Sequence, residues 1–240
     1  MTYAEGWIPV ALSDALEPGT SAGTLIDGSE IVVWRDTKGD AHVWEDRCPH
    51  RGMRMSFGFV RGDHIACLYH GWQYDAAGQC QYIPAHPDLE VPKTIKVPTF
   101  AAREQNGIIW TALTADLPTA AIPADETGFT PVRTIHIDRA STDVLTALQS
   151  ARLPAFGDAA ADAPTVFSKL SDRLLTLTAG SDRLLVAIQS CSQVTTALHL
   201  VILGSPTTYQ GAGQKHFSRF AESLRHSLEN KTHDRIAEPA

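Results

Sequence analysis

Short apolar runs alternate with turn residues through the first half of the chain. Runs rich in Val, Ile and Trp occupy residues 30–35, 41–45, 57–61, 64–68, 72–75 and 107–113. Between them stand turn residues: Asp27-Gly28, Lys38-Gly39-Asp40, Gly62-Asp63 and Ala76-Ala77-Gly78. Many short strands at this spacing predict a small antiparallel sandwich or barrel. Asp27-Gly28 reads as a turn and nothing more, with Gly28 in a backbone role.

The second half mixes periods. A strand is expected over 132–138. A short helix follows, capped by Ser141 or Thr142 and carrying Val144, Leu145 and Leu148. Further strands are expected over 165–169, 174–179, 183–189 and 193–203, with Gly180-Ser181-Asp182 turning a hairpin. The last element is a helix over 214–229. Its Phe217, Phe220, Ala221, Leu224 and Leu228 form one stripe, expected to pack on the sheet rather than await a partner. Between the halves, Pro118, Pro123 and Pro131 punctuate small and acidic residues, which reads as a linker. The expected organisation is α+β: an all-β domain over 1–118, a linker over 119–131 and a smaller α+β domain over 132–240.

Composition narrows the function classes. The 240 residues are 43% apolar, enough to bury a core. Twenty Lys and Arg against 27 Asp and Glu leave a net charge of −7, a poor match to a polyphosphate, so no nucleic-acid partner is expected. The most apolar segment, 194–204, is too short and too polar to span a bilayer, so no membrane partner is expected. The first six residues lack the basic and apolar regions of a signal peptide, and a cytoplasmic location is expected. Four cysteines in a chain of this length do not make a disulfide scaffold. Set near histidines, cysteines point to metal binding.

The decisive residues are Cys48-Pro49-His50-Arg51-Gly52 and Cys67-Leu68-Tyr69-His70-Gly71-Trp72. In terms of ligands this is C-x-H, sixteen intervening residues, then C-x-x-H. Two thiolates and two imidazoles can hold one tetrahedral zinc, or the two irons of a [2Fe–2S] cluster. The single residue between Cys48 and His50 is awkward for chelating one zinc. It lets neighbouring side chains reach different irons instead. Gly52 and Gly71 permit the tight turns that aim ligands and amides inward.

These residues resemble the Rieske domain of Rieske-type non-haem iron oxygenases. The likeness extends to Trp7-Ile8-Pro9-Val10, Phe57-Gly58-Phe59-Val60, Trp72-Gln73-Tyr74-Asp75, Gly78-Gln79-Cys80, Ile83-Pro84-Ala85 and Gly107-Ile108-Ile109-Trp110, in the family's order. It covers about residues 7 to 113. It implies one [2Fe–2S] cluster, with Cys48 and Cys67 on an inner iron and His50 and His70 on an outer one. Neither ligand loop has the extra cysteine of the high-potential respiratory relatives. A potential at the low end of the Rieske range, on the order of −150 mV, is therefore implied. Arg51, Gly52, Tyr69, Gly71 and Trp72 surround the ligands. Trp72 is expected to pack beside the site, and Tyr69 either packs or tunes it. Arg51 and Arg54 either dock an acidic electron donor or stay solvated. Cys80 and Cys191 read as buried structural thiols.

In the oxygenases a second, helix-grip domain holds a mononuclear iron through two histidines and a carboxylate. The order of elements from residue 132 resembles a shortened form of that domain, and 148–157 resembles its ligand segment. Arg152 and Gly157 then stand where the histidines should be, and Gln149 where the electron-relaying acid should be. Other histidines do not complete a triad. His136 shares a strand face with Thr134 and Asp138, with no second histidine expected nearby. His216 and His226 lie ten residues apart on the last helix, about 15 Å along its axis. Glu222 and His226 are expected to form a surface pair.

The expectation is a Rieske electron-transfer protein or non-catalytic oxygenase-like subunit with no mononuclear iron and doubtful oxygenase activity of its own. Its electrons would come from a flavin reductase or ferredoxin. They would pass to an iron on a partner, such as a full-length oxygenase subunit, within an oligomer. Two other readings stand beside it. One is a complete oxygenase that hydroxylates or demethylates a small organic substrate with O2. The other is a ligand-binding redox sensor.

Overall fold

A computed structural model describes residues 6–114, 128–157 and 163–230. The chain divides into two compact units. The first takes residues up to Glu104 and Ile109–Ile122, and the second takes Gln105–Ile108 and everything from Pro123. The expected linker, 119–131, lies mostly outside the described residues. Its last two positions, Thr130 and Pro131, already belong to a strand.

The first unit carries β1 (Ile8–Leu12), β2 (Ser21–Ile26), β3 (Ser29–Arg35), β4 (Ala41–Glu45), β5 (Phe59–Arg61), β6 (His64–Ala66), β7 (Gln73–Asp75), β8 (Cys80–Tyr82), β9 (Thr99–Gln105) and β10 (Ile108–Ala112). Six strands form one sheet in the order β1-β10-β9-β4-β3-β2, and β5-β6-β7-β8 form a second. The run Ile31 to Trp34 is apolar without alternation because β3 is buried on both faces. Ile31 and Val33 join Ile8, Val10 and Val43, whereas Val32 and Trp34 join Trp44, Met55, Ile65 and Tyr74. Asp27 and Gly28 both take positive φ, 47° and 84°, in the two-residue turn between β2 and β3.

Several strand boundaries differ from expectation. The single strand expected over 57–61 is a short 3-10 turn, Met55–Phe57, followed by β5. They meet at Gly58, where a Cβ would lie 2.5 Å from the Ala66 carbonyl oxygen. The run expected over 64–68 stops at Ala66, because Cys67 opens a loop. Strands β2, β8 and β9 carry no apolar run that announces them. β2 is an edge strand, largely exposed, and only its register with β3 makes it a strand.

The second unit carries β11 (Thr130–Ile137), α1 (Ser141–Ser150), β12 (Val166–Ser171), β13 (Leu174–Ala179), β14 (Asp182–Ser190), β15 (Thr196–Ile202), α2 (Pro206–Tyr209) and α3 (Ala212–Asn230). Its five strands form an antiparallel sheet in the order β11-β15-β14-β13-β12. Alternate residues, among them Leu177, Val186, Leu198 and Leu200, share one core with Val144 and Leu148 of α1 and Phe217, Ala221 and Leu224 of α3. The α3 stripe packs on the sheet as its spacing predicts. The architecture is α+β.

Two local expectations are corrected. The N-cap of α1 is Ala140, and neither Ser141 nor Thr142 caps it, because both lie inside the helix. The hairpin turn is Gly180-Ser181 alone. Ala179 pairs with Asp182, so Asp182 belongs to β14. There its buried carboxylate accepts the Phe156 N–H at 2.7 Å and the Tyr209 hydroxyl at 2.8 Å. The strand expected over 193–203 shortens to β15, since Cys191 and Ser192 donate their N–H groups to the Thr195 carbonyl and close a turn. Among the described residues, no helix is long and apolar enough to cross a membrane.

Candidate functional site

Two loops of the first unit carry the Cys and His residues, and their backbones repeat one pattern. In each, the cysteine N–H donates to the carbonyl five residues on: Cys48 to Met53 at 2.8 Å and Cys67 to Trp72 at 2.9 Å. In each, the glycine N–H returns to the cysteine carbonyl: Gly52 to Cys48 at 2.8 Å and Gly71 to Cys67 at 2.9 Å. Closing this turn puts the glycines at φ of 73° and 70°, where a side chain is strained. A Cβ on Gly71 would also come within 3.1 Å of Pro84. The amides two and three residues past each cysteine point at its sulfur: His50 and Arg51 for Cys48, Tyr69 and His70 for Cys67. Such a nest of N–H groups stabilises negative charge on sulfur.

The donors sort into an inner and an outer pair. Both cysteines are buried, in the same core cluster as Trp44, Met55 and Ile65, and their side chains lie within hydrogen-bond reach of each other. His50 is half-buried and His70 exposed, with ring centroids 4.6 Å apart. The hydrogen bond between the two sulfurs lowers the Cys48 thiol from its usual range, aided by the Tyr74 hydroxyl and against the cost of burial.

The sequence assigns Tyr74 no role, and the structure supplies one. Its hydroxyl lies 3.2 Å from the Cys48 sulfur in a fully buried position. Burial and the neighbouring sulfur push its pKa up, so it stays protonated and donates. Strand alternation along β7 was the available signal, since it puts Tyr74 on the opposite face from Gln73 and Asp75.

The donor set of two thiols and two imidazoles is of a kind that can hold a metal centre. The Nδ1 of His50 is buried with no hydrogen-bond partner. An unpaired buried nitrogen is costly unless something else meets it, and a metal ion does. Donors arranged as two pairs suit a [2Fe–2S] cluster, with two thiolates for one iron and two imidazoles for the other.

The surrounding residues divide by contact. Trp72 stacks on His50 at 4.2 Å and 5°, and packs against the core. The Tyr69 ring centroid lies 3.8 Å from that of His70, and Tyr69 is 58% exposed. Arg51 is exposed. Arg54 is not simply solvated, because it forms an ion pair with Glu30. Cys80 and Cys191 are buried thiols outside any disulfide, as expected.

In the second unit, Gln149, at the end of α1, and the exposed Arg152 line an open cavity of about 520 Å³ with Leu153 and Thr165. His136 does have a second histidine nearby, contrary to expectation. The β11–β15 register sets Thr134 opposite His199 and His136 opposite Ala197. His199 is fully buried, with Nδ1 2.8 Å from the Thr134 hydroxyl and Nε2 2.9 Å from the Gln189 side-chain oxygen. Burial, and then the charge of His136, press its pKa down to about 3, so it stays neutral. With both nitrogens engaged it is a core residue rather than a ligand. Glu222 does not pair with His226. It bridges Arg133 and Arg225, each at 2.7 Å. The His216 ring N–H donates to the Pro154 carbonyl at 2.9 Å.

Residues 6–100 match the Rieske [2Fe–2S] domain. Over 96% of its length the chain is 31% identical to the oxidoreductase NdmD of Pseudomonas putida, covering 41% of that protein. Over 49% of its length it is 38% identical to the methylxanthine N1-demethylase NdmA of Pseudomonas putida, covering 34% of it. The chain thus spans less than half the length of these curated relatives. In structure it superposes on a Pseudomonas putida NdmA variant with theobromine at a TM-score of 0.70 and 20% identity, covering 98% of this chain and 82% of that one. Apo dicamba monooxygenase gives 0.70 at 18% identity, covering 100% and 92%. These last two show a shared fold. Residues 6–100 are therefore a Rieske [2Fe–2S] domain, which implies a [2Fe–2S] cluster, and the chain is a homologue of Rieske oxygenase alpha subunits.

Proposed function

We propose that this chain is a one-electron carrier or non-catalytic oxygenase-like subunit, with Cys48 and Cys67 holding an inner iron and His50 and His70 an outer one. The observation that carries the assignment is the two-by-two sorting of donors, buried sulfurs behind paired imidazoles, with the His50 Nδ1 left open. When bound, a [2Fe–2S] cluster supplies one-electron transfer. The protein's part is to shape that chemistry. Amides and the Tyr74 hydroxyl stabilise charge on sulfur, Trp72 fixes the plane of His50, and the exposure of His70 brings an electron path to the surface.

Oxygen activation belongs to a partner in this reading. Gln149, Arg152 and Gly157 stand in the segment that resembles the family's mononuclear-iron ligands. A guanidinium there opposes a divalent ion, and neither an amide nor glycine replaces a carboxylate and an imidazole. The donor is a flavin reductase or ferredoxin, and the acceptor is an iron on a partner subunit in an oligomer. Residues 1–118 form the Rieske domain, and a shortened helix-grip domain follows the linker, beginning with β11 at Thr130 rather than at 132.

Metal and sulfide analysis of the purified chain tests this. The expected result is two irons and two acid-labile sulfides per chain, lost in His70→Ala. A third iron, with fast substrate-coupled oxygen uptake by the chain alone, would mean a complete oxygenase. One zinc and no sulfide would reject the cluster.

A further inference from the structure

We propose that Tyr69 is the contact residue through which an electron passes between this chain and an acidic one-electron carrier protein, an inference that rests on the reading of His70 as an iron ligand. The two aromatic residues beside the histidines have different surroundings. Trp72 lies flat on the half-buried His50 and is held by the core. Tyr69 lies 3.8 Å from the ring of the exposed His70 and is itself 58% exposed. Its neighbour Leu68 is 48% exposed. An apolar ring at that exposure, outside the core, contributes little to folding. It does place a conjugated system in direct contact both with His70 and with whatever docks against the loop. Electron transfer weakens steeply with each gap that has to be crossed through space, so an aromatic bridge over His70 shortens the path.

Charge selects the kind of partner. The chain as a whole carries −7, yet the segment Arg47-Cys48-Pro49-His50-Arg51-Gly52 holds two cations and no acid. Arg47 and Arg51 are both exposed. The Arg47 guanidinium lies over the Gly52 turn, 3.4 Å from where a Cβ on that glycine would stand. Arg54 is neutralised by Glu30 and adds little. The loop with Leu68 and Tyr69 meets the loop with the exposed Arg47 and Arg51 where the His70 and His50 rings lie 4.6 Å apart, and exposed apolar residues on one loop with cations on the other complement an acidic surface. In the step itself the carrier is oxidised by one electron and this chain is reduced by one. Tyr69 keeps its proton and its electron count, and no bond is made or broken.

The test is stopped-flow reduction of the cluster-loaded chain by a chemically reduced, acidic plant-type ferredoxin, followed by visible bleaching. Tyr69→Phe is the conservative variant: it keeps the ring against His70 and should hold the rate within about twofold of the parent. Tyr69→Leu should slow the second-order rate roughly tenfold, the loss expected for a central aromatic contact. Its midpoint potential and EPR spectrum should match the parent's. The parent rate should fall as salt is added. Tyr69→Leu reacting at the parent rate would overturn the proposal. So would loss of the cluster in that variant, which would give Tyr69 a structural role, or a rate indifferent to salt, which would reject an acidic partner. A parent chain purified without iron and sulfide would instead sink the ligand reading beneath it, so the two failures are distinguishable.

Discussion

Replacing Tyr74 by Phe removes one hydroxyl from a fully buried ring and leaves the packing against Ile65 and Trp44 in place. The hydroxyl has a single sulfur partner, Cys48 at 3.2 Å. A hydrogen bond to a charged group contributes roughly 1.5–3 kcal/mol. The sulfur carries more negative charge after reduction, so the bond is stronger in the reduced state, and about 1 kcal/mol of it is a reasonable share for that difference. For a one-electron couple 59 mV corresponds to a factor of ten, or about 1.4 kcal/mol, so Tyr74→Phe should lower the midpoint potential by roughly 40 mV. A potentiometric titration followed by visible absorbance measures this directly. The cluster should load fully, since no ligand is touched. A loaded variant whose potential moves by less than about 10 mV, a quarter of a kcal/mol on the same conversion, would refute donation from Tyr74 to Cys48.

Two further predictions concern the second unit. Phe217 is fully buried between α3 and the sheet, so Phe217→Ala should cost about 3–5 kcal/mol in urea unfolding; a loss under about 1 kcal/mol would mean that the stripe does not anchor the helix. His199 stays neutral when folded, with a pKa near 3, but takes up a proton near 6.5 when unfolded. Below pH 6.5 the unfolded state therefore binds more protons. The stability His199 contributes is present at neutral pH and is lost as pH falls from 6.5 toward 3, at up to about 1.4 kcal/mol per pH unit. Between pH 7 and 5 the stability gap between the parent and His199→Gln should narrow by up to roughly 2 kcal/mol, and parallel curves would contradict a buried neutral imidazole.

How far the fold and site are legible in the sequence depends on how local the cause is. The β2–β3 turn was readable because Asp27 and Gly28 tolerate the positive φ that a two-residue hairpin demands. The α3 stripe was readable because helical spacing alone puts Phe217, Ala221 and Leu224 on one side. Strand β2 was not, since an exposed edge has no apolar pattern and exists only through pairing with β3. The neighbour of His136 was missed for a related reason. Thr134 and His199 are 65 positions apart, and the β11–β15 register alone sets them side by side. Glu222 took Arg133 of β11 rather than His226 one turn along, because helix-to-sheet packing brought a permanent cation within reach.

At the site itself the division is the same. Sequence alone determined the donor types, their spacing, the glycines that let each loop close, and the resemblance that names the domain, because each of these resides in a few consecutive residues. Only the tertiary structure decided that sulfurs lie inside and imidazoles outside, that Tyr74 reaches Cys48, and that Trp72 is held by the core while Tyr69 faces solvent. Burial and cross-loop contact depend on how distant segments pack together, and no short stretch of chain carries that information.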